Sequence, residues 1–397
     1  MERNFKMVAK TLFGFEEILA KELRNLGASN VVEGVRNVSF EGDTGFMYKA
    51  NLCLRTAIKI IKPIHTFQVA NEDDFYRKIY KIDWTEYLSV DDTFAVDSTV
   101  NSDNFTHSLY VSQKTKDAIV DKFRDLEGKR PDVDVKNPDI RINIHIHKNT
   151  CNVSLDSSGN SLHHRGYRIS TNIAPINEVL AAGLLLLSGW DGQCDFLDPM
   201  CGSGTMLTEA TMIACNIPAN INRKGFAFEK WHDFDADLYE KIVSSSLKRT
   251  REFHHKITGY DKAPSAIRKA EENIENANLS EYITVSRKDF FKTQKESDGP
   301  LHMCFNPPYG ERLDRSDLDS DFDVEEFYSN IGDTLKQGYP GTNAWFITSN
   351  LQALKFVGLR PSRKIKVFNS HLESRLVKYV MYEGSKKAKY NNREENI

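Results

Sequence analysis

Residues Asp198 to Thr205 (DPMCGSGT) follow CDFLD, an apolar stretch of strand character, and lead straight into the helical pattern GTMLTEATMIA. Strand, acidic residue, glycine-rich turn and helix in immediate succession is how a doubly wound α/β domain brings a ligand to the carboxyl edge of its sheet. Gly202 and Gly204 alone carry little, since such turns occur in many loops; the context carries more. Lacking side chains, they let the backbone approach a ligand that bulkier residues would exclude. Asp198, at the strand end, can accept hydrogen bonds from a cationic amino-acid group. The pattern disfavours a dinucleotide, because Leu207 stands where the third glycine of G-x-G-x-x-G belongs, and no G-x-x-x-x-G-K-[ST] occurs for a nucleoside triphosphate.

What surrounds this stretch alternates helix and strand as an α/β domain does. INEVLAAGLLLLSGW reads as a buried helix before it; after it come ITGYD (strand), APSAIRKAEENIENANL (helix), ITVSRKD and LHMCFN (strands), VEEFYSNIGDTLKQ (helix) and NAWFITS (strand). KIKVFN and RLVKYVMYE read as a closing hairpin, and Asn216 to Lys256, rich in aromatics and charge, as an insertion with no readable role. The strand ending at Asp261 offers a carboxylate that can hold two ribose hydroxyls in bidentate fashion. The next ends in Lys288, Asp289 and Phe290, where a carboxylate can accept from an adenine amino group and an aromatic can cover the ring. Any one such aspartate is more often a cap or turn residue. Three in order at successive strand ends point to a nucleoside-bearing cofactor.

Length bounds the rest: 397 residues suggest about two or three domains. No apolar run reaches the roughly 18 residues that span a bilayer, and Met1 to Lys10 lacks a signal-peptide core, so a cytoplasmic protein is expected. Cys53, Cys151, Cys194, Cys201, Cys215 and Cys304 form no C-x-x-C pair, which implies free, mostly buried thiols and no zinc site. A net charge of −3 does not advertise a polyanion partner, so any nucleic-acid surface must concentrate its basic charge on one face.

The N-terminal part splits in two. Through residue 65, EEILAKELRNLGA carries Ile18, Leu19, Leu23 and Leu26 on one helical stripe capped by Gly27, and VRNVSFEG alternates Val35, Val38 and Phe40. A helix from Thr44 and a strand through Ile58, Ile60 and Ile64 complete a small α+β domain of ferredoxin-like type. Residues 66–157 add a helix (NEDDFYRKIYKI), a strand (DTFAVDSTV), a helix (SLYVSQKTKDAIVDKFRDLEG) with Ile119, Val120, Phe123 and Leu126 buried, and DIRINIHIH. The last alternates Ile140, Ile142, Ile144 and Ile146 inward with Arg141, Asn143, His145 and His147 outward. That outward row is open to RNA, although a solvated strand face is the plainer reading, and the two histidines lack a third ligand for a metal. GNSLHHRGYRISTN, polar and basic, reads as a linker over residues 158–172, and KKAKYNNREENI as a disordered tail over 385–397.

The element order and SLYVSQKTKDAIVDKF resemble the THUMP domain, an RNA-binding unit that follows a ferredoxin-like domain in RNA-modifying enzymes. The aspartates at successive strand ends resemble the S-adenosyl-L-methionine site of class I methyltransferases, and HHRGYR with PINEVLAAG resembles the extra cofactor-covering motif of their amino-methylating branch. FNPPYG at Asn306 then fits a difficult acceptor. An exocyclic amine is a poor nucleophile because its lone pair is delocalised; the Asn306 side-chain oxygen and the Pro307 carbonyl can accept its two N–H bonds and stabilise the charge that develops, while Tyr309 stacks on the ring. A target inside a helix must be flipped out.

Taken whole, DPMCGSGT, FNPPYGERL and SRLVKY resemble the bacterial 23S rRNA guanine-N2 methyltransferase family with an N-terminal THUMP domain. The resemblance implies a Rossmann-like class I methyltransferase domain over 173–384, with Asp198, Pro199, Gly202, Gly204, Thr205, Asp261, Asp289, Phe290 and Asn306 at the cofactor and Asn306, Pro307 and Tyr309 at the target amine. It implies RNA, 23S rRNA or a large-subunit precursor, as partner, and N2-methylguanosine as product. Some relatives carry a second methyltransferase domain after this one, which this sequence is expected to lack. Asp314, Asp317, Asp319, Asp321 and Asp323 depart from a basic RNA entrance and would repel phosphate unless that loop folds away. A tRNA guanine, an adenine N6 in nucleic acid and a glutamine amide suit the same motif, and a non-catalytic RNA-binding or ribosome-assembly protein is the rival from another class.

Overall fold

The computed structural model describes residues 4–169, 176–296, 299–308 and 323–382. Among them, those up to Thr11, residues 19–162 and residues 223–245 make one compact unit, and the others make a second.

The first unit contains β1 (Phe5–Thr11), the part of α1 (Glu16–Leu26) from Leu19, β2 (Ser29–Glu33), β3 (Asn37–Gly42), α2 (Thr44–Cys53), β4 (Ala57–Gln68), α3 (Glu72–Lys81), β5 (Thr93–Asn101), α4 (Ser108–Glu127), β6 (Asp132–Val133), β7 (Ile140–His147) and β8 (Thr150–Asp156). Its described strands form one eight-stranded sheet, ordered β2-β3-β1-β4-β8-β7-β5-β6. The boundary expected at residue 65 therefore falls inside β4. The early part of that strand pairs with β1 (Thr11 opposite Ala57, Val8 opposite Ile61), and β8 pairs from Ile61 to Gln68. The β4–β8 register shifts between Pro63 and His65, which is how a proline is accommodated within an internal strand.

Several exposures differ from the sequence reading. Val35 is 77% exposed in the bend before β3, outside the alternation assigned to it, and Leu126 is 55% exposed on the last turn of α4. In β7 the outward row is partly committed: Arg141 Nη1 donates to Asp97 at 3.0 Å, and buried Asn143 accepts from Lys10 Nζ at 3.1 Å, leaving His145 and His147 as the exposed members.

The insertion also finds a place. Phe226, Phe228, Phe234 and Tyr239 gather with Tyr48 of α2, the Tyr48 and Phe228 rings stacking at 4.4 Å, just before and within α7 (Ala236–Leu247). Its aromatics thus supply core to the first unit, although the sequence around them belongs to the α/β domain.

The second unit holds α5 (Glu178–Ser188), β9 (Asp195–Asp198), α6 (Thr205–Ala214), β10 (Ile257–Asp261), α8 (Pro264–Asn276), β11 (Ile283–Arg287), β12 (Leu301–Phe305), α9 (Val324–Gly338), β13 (Thr342–Thr348), β14 (Arg363–Asn369) and β15 (Leu372–Val380). The described strands order as β11-β10-β9-β12-β13-β15-β14, parallel except for β15, which runs antiparallel to both its neighbours. This is a doubly wound, Rossmann-like sheet with the closing hairpin expected from the sequence. Alternate residues face opposite layers: Phe196, Cys304, Trp345 and Leu376 join α5, α6 and α8, whereas Leu197, Met303, Phe346 and Val377 join α9. Both faces being covered, the strands read as nearly continuous apolar runs.

Packing against α9 is close enough to exclude a methyl group. A Cβ added at Gly332 would stand 1.7 Å from the Val357 carbonyl oxygen, a backbone atom with no rotamer to adopt. Gly332→Ala is expected to cost about 3 kcal/mol, as overpacking of a tight core does. The denaturant midpoint measures it, and an unchanged midpoint would mean that α9 shifts without penalty.

Candidate active site

Parallel pairing delivers the residues singled out in the sequence to one edge of the second sheet. Asp198 closes β9, Asp261 closes β10, Asp289 follows β11 and Asn306 follows β12. Strand order reverses between β9 and β12, and ligands of doubly wound sheets bind at such a switch point. The glycine turn bridges the first two strand ends: Cys201 N–H donates to the Tyr260 carbonyl at 2.8 Å and Gly202 N–H to Asp261 Oδ2 at 3.0 Å. Gly204, the N-cap of α6, has φ of 80° and would place an added Cβ 3.2 Å from Ala270 Cβ, so this position requires glycine.

The carboxylates differ in their surroundings. Asp198 is 2% exposed, accepts from the Met200 N–H at 3.1 Å and, among the described residues, forms no ion pair. Burial, with a smaller contribution from the negative charge of Asp261, pushes its carboxyl up to about 8. A buried acid without a countercharge fits a ligand that brings positive charge. Asp261 accepts one backbone N–H on each oxygen, from Gly202 and from Ala263 at 2.9 Å, which fixes its plane and leaves lone pairs on both oxygens. Asp289 accepts from the Phe291 N–H at 3.2 Å, the plain capping role, and is half-buried. Phe290 corrects the sequence reading: 3% exposed, its ring packs on Phe291, Phe305 and Tyr339 and is core, with little surface for an adenine.

At the end of β12, Asn306 and Pro308 are half-buried and Pro307 is buried. Pro199 is buried beside Asp198. Tyr309, Asp314, Asp317, Asp319 and Asp321 lie outside the described residues. Asp323 is the N-cap of α9, accepting from Glu325 N–H at 2.8 Å, so this member of the acidic series has a helix-capping use.

Residues 165–378 match the family described as RMKL-like methyltransferase domain, residues 69–156 the THUMP domain and residues 6–61 the RlmL ferredoxin-like domain. The chain belongs to the RMKL-like methyltransferase family. It is 37% identical to a provisionally assigned RNA methyltransferase of Synechocystis sp., over 93% of this chain and 95% of that one. It is 36% identical to ribosomal RNA large subunit methyltransferase K/L of Cellvibrio japonicus, over 92% of this chain but 50% of that one; the chain spans about half the length of the relatives bearing that name. A structure of SMU.472, a provisionally assigned methyltransferase complexed with S-adenosylhomocysteine, superposes with a TM-score of 0.85 at 28% identity, covering 97% of this chain and 100% of that one. This RMKL-like methyltransferase is accordingly an S-adenosylmethionine-dependent enzyme.

Its polar stretch before α5 is no simple linker. Arg165 and Glu209 are both fully buried, with Arg165 Nε 3.2 Å from Glu209 Oε1; Tyr167 Oη donates to the same oxygen at 3.1 Å and Arg165 Nη1 to Asn220 Oδ1 at 3.2 Å. A signal was present in the sequence, since Glu209 is the one charged residue in TMLTEATMIA and a buried charge requires a partner. Further along, Arg168 Nη2 donates to Thr205 Oγ1 at 2.7 Å. Asn273 of α8 joins the two segments, accepting from Ile169 N–H at 3.0 Å and donating to the Ser203 carbonyl at 3.0 Å.

Proposed function

We propose that this methyltransferase modifies the exocyclic N2 amine of a guanine in 23S rRNA or a large-subunit precursor, in the cytoplasm. The observation that carries the reading is Asn306-Pro307 at the end of β12, next to the strand that ends in buried, uncompensated Asp198. When bound, S-adenosylmethionine supplies an electrophilic methyl group on a sulfonium. In this reading Asp198 faces its positive amino-acid end, the glycines and Thr205 form the adjoining wall, Asp261 takes the ribose hydroxyls and Asp289 the adenine amine. Asn306 Oδ1 and the Pro307 carbonyl accept the target's N–H bonds, which orients the nitrogen lone pair and favours the positive charge that develops there. Tyr309 stacks on the base. No strong base is needed, because the methylated nitrogen becomes acidic and sheds its proton to water.

Support for RNA comes from the THUMP match, and for the large subunit from relatives named for that substrate. The first unit, with its ferredoxin-like and THUMP strands in one sheet, is then the reader of the substrate.

Methyl transfer from labelled S-adenosylmethionine to 23S rRNA, 16S rRNA, tRNA and duplex DNA, followed by nucleoside analysis, tests the proposal. N2-methylguanosine confined to 23S rRNA is expected. Label in tRNA, or as N6-methyladenosine, would overturn the substrate and keep the chemistry; no label in any acceptor would favour a binding protein.

A further inference from the structure

A chain with a net charge of −3 binds a polyanion only where its basic residues gather, and they gather in the closing hairpin of the second unit. From Arg360 to Tyr382 there are six of them, Arg360, Arg363, Lys364, Lys366, Arg375 and Lys378, against one acid, Glu373. The register sets cation against cation: Arg363 lies opposite Lys378, and Lys366 opposite Arg375. Like charges directly opposite in a sheet are destabilising. Glu373 offsets one of the two pairs, its Oε2 2.6 Å from Lys366 Nζ and its Oε1 2.8 Å from Arg375 Nη1. Among the described residues no carboxylate pairs with Arg360, Arg363 or Lys364. Lysines on an outer strand blunt edge-to-edge pairing, which accounts for β14 but not for Arg375 and Lys378 on β15, an internal strand.

Position gives the cluster a use. Phe305 of β12 is opposite Phe346 of β13, and Thr348, two residues on, is opposite Arg375 of β15. Arg375 therefore stands at the level where Asn306 and Pro307 leave β12, two strand spacings away, about 10 Å. Lys366 shares its face of the sheet, as cross-strand partners do, and so do Lys364 and Phe368 by alternation. Lys366 Nζ lies 5.3 Å from the centre of the Phe368 ring, and exposed Phe13 meets Phe368 edge to face at 5.5 Å. Cations interleaved with an exposed ring suit single-stranded nucleic acid, the cations on phosphate and the ring against a base.

We infer that Lys364, Lys366 and Arg375, with Phe13, bind the single-stranded RNA that flanks the target nucleotide. A polyanion along the hairpin answers the opposed cations that Glu373 leaves uncompensated. The inference rests on RNA as substrate and on Asn306 at the target amine, and it places substrate contacts in the methyltransferase unit itself, beside those of the THUMP-bearing unit.

The test is binding of the full chain to a fluorescent oligouridine across a salt series, with turnover on 23S rRNA beside it. Lys364→Gln combined with Lys366→Gln is expected to weaken binding by about tenfold and to flatten the plot of log affinity against log salt by about 1.4, two single-strand phosphate contacts at about 0.7 each. KM for RNA should rise with kcat little changed, and S-adenosylhomocysteine affinity should stay at the wild-type value. Glu373→Gln, which removes the competing acid, should bind tighter and steepen the plot. Phe13→Leu should weaken binding by about fivefold at unchanged slope, since stacking releases no counterions. The control for bulk charge is Arg268→Gln with Lys292→Gln, which removes two exposed cations at the β10–β11 end of the sheet. If the β14 variant loses no more affinity than this control, its lysines only protect an edge and the inference fails while RNA stays the substrate. Full affinity in Phe13→Leu would overturn the single-strand assignment. A wild type that binds no RNA would overturn the substrate class, and the inference with it.

Discussion

Replacing Asn306 with alanine is expected to cut methyl transfer by about 100-fold or more, roughly 2.7 kcal/mol, while S-adenosylhomocysteine affinity stays within a few-fold of wild type. The asymmetry follows from where the residue stands. Asn306 leaves β12 directly after Phe305, whose ring is fixed against Phe290 at 5.8 Å and Phe346 at 5.3 Å, and Pro307 restricts the backbone that follows. An amide oxygen on so constrained a strand exit is preorganised to accept an N–H, and preorganised polar partners contribute mainly to the transition state. Asp198 and Asp261, the carboxylates proposed for the cofactor, end other strands, so truncation at β12 should spare them. Single-turnover transfer to RNA, with calorimetry on the same preparation, separates the effects. Near-normal turnover would sink the assignment, and loss of turnover together with cofactor affinity would point to a collapsed site.

Much of this site was legible because glycine, aspartate and proline mark backbone events that a sequence displays. The turn at Gly202 and Gly204, the strand-end carboxylates and the proline pair all lie where the pattern put them. What escaped depends on partners far along the chain. Arg165 and Tyr167 sit in a stretch as polar as a linker, and become core only through Glu209, 44 and 42 residues later. The insertion's aromatics gave no destination until Tyr48, which precedes Phe234 by nearly half the chain, was placed against them. Phe290 carries the opposite lesson: an aromatic after a strand-end acid suits a ligand or a core equally, and Phe305 and Tyr339 decide for the core. Helices and turns punctuate the two N-terminal modules in the sequence, whereas β4 is one strand that runs through residue 65, with a register shift at Pro63.

Asp198→Asn should give the other large effect, a loss of roughly 100-fold in cofactor affinity, since it removes the charge facing the ligand's positive end at a buried site. Its dependence on pH distinguishes charge from shape. With the carboxyl of the ligand-free protein held up to about 8 by burial, most molecules carry the neutral acid at pH 7, and a cationic ligand must draw off that proton to bind its anion. Affinity should therefore climb with pH by up to about tenfold per unit as Asp198 ionises, and fall once the ligand's own α-amino group, near 8, loses its charge. The asparagine variant should lose the rising limb and keep the falling one. Stability moves the other way. A carboxyl raised in the folded state stabilises it fully only below its unfolded value near 4, and that contribution is lost as pH rises toward about 8. Without ligand, Asp198→Asn should consequently melt higher than the wild type at pH 8 and show little advantage at pH 4, while binding the cofactor worse at pH 8 and about equally at pH 4, where both side chains are neutral. Parallel pH profiles of affinity in the two proteins would show that the group titrating in the wild type is not Asp198.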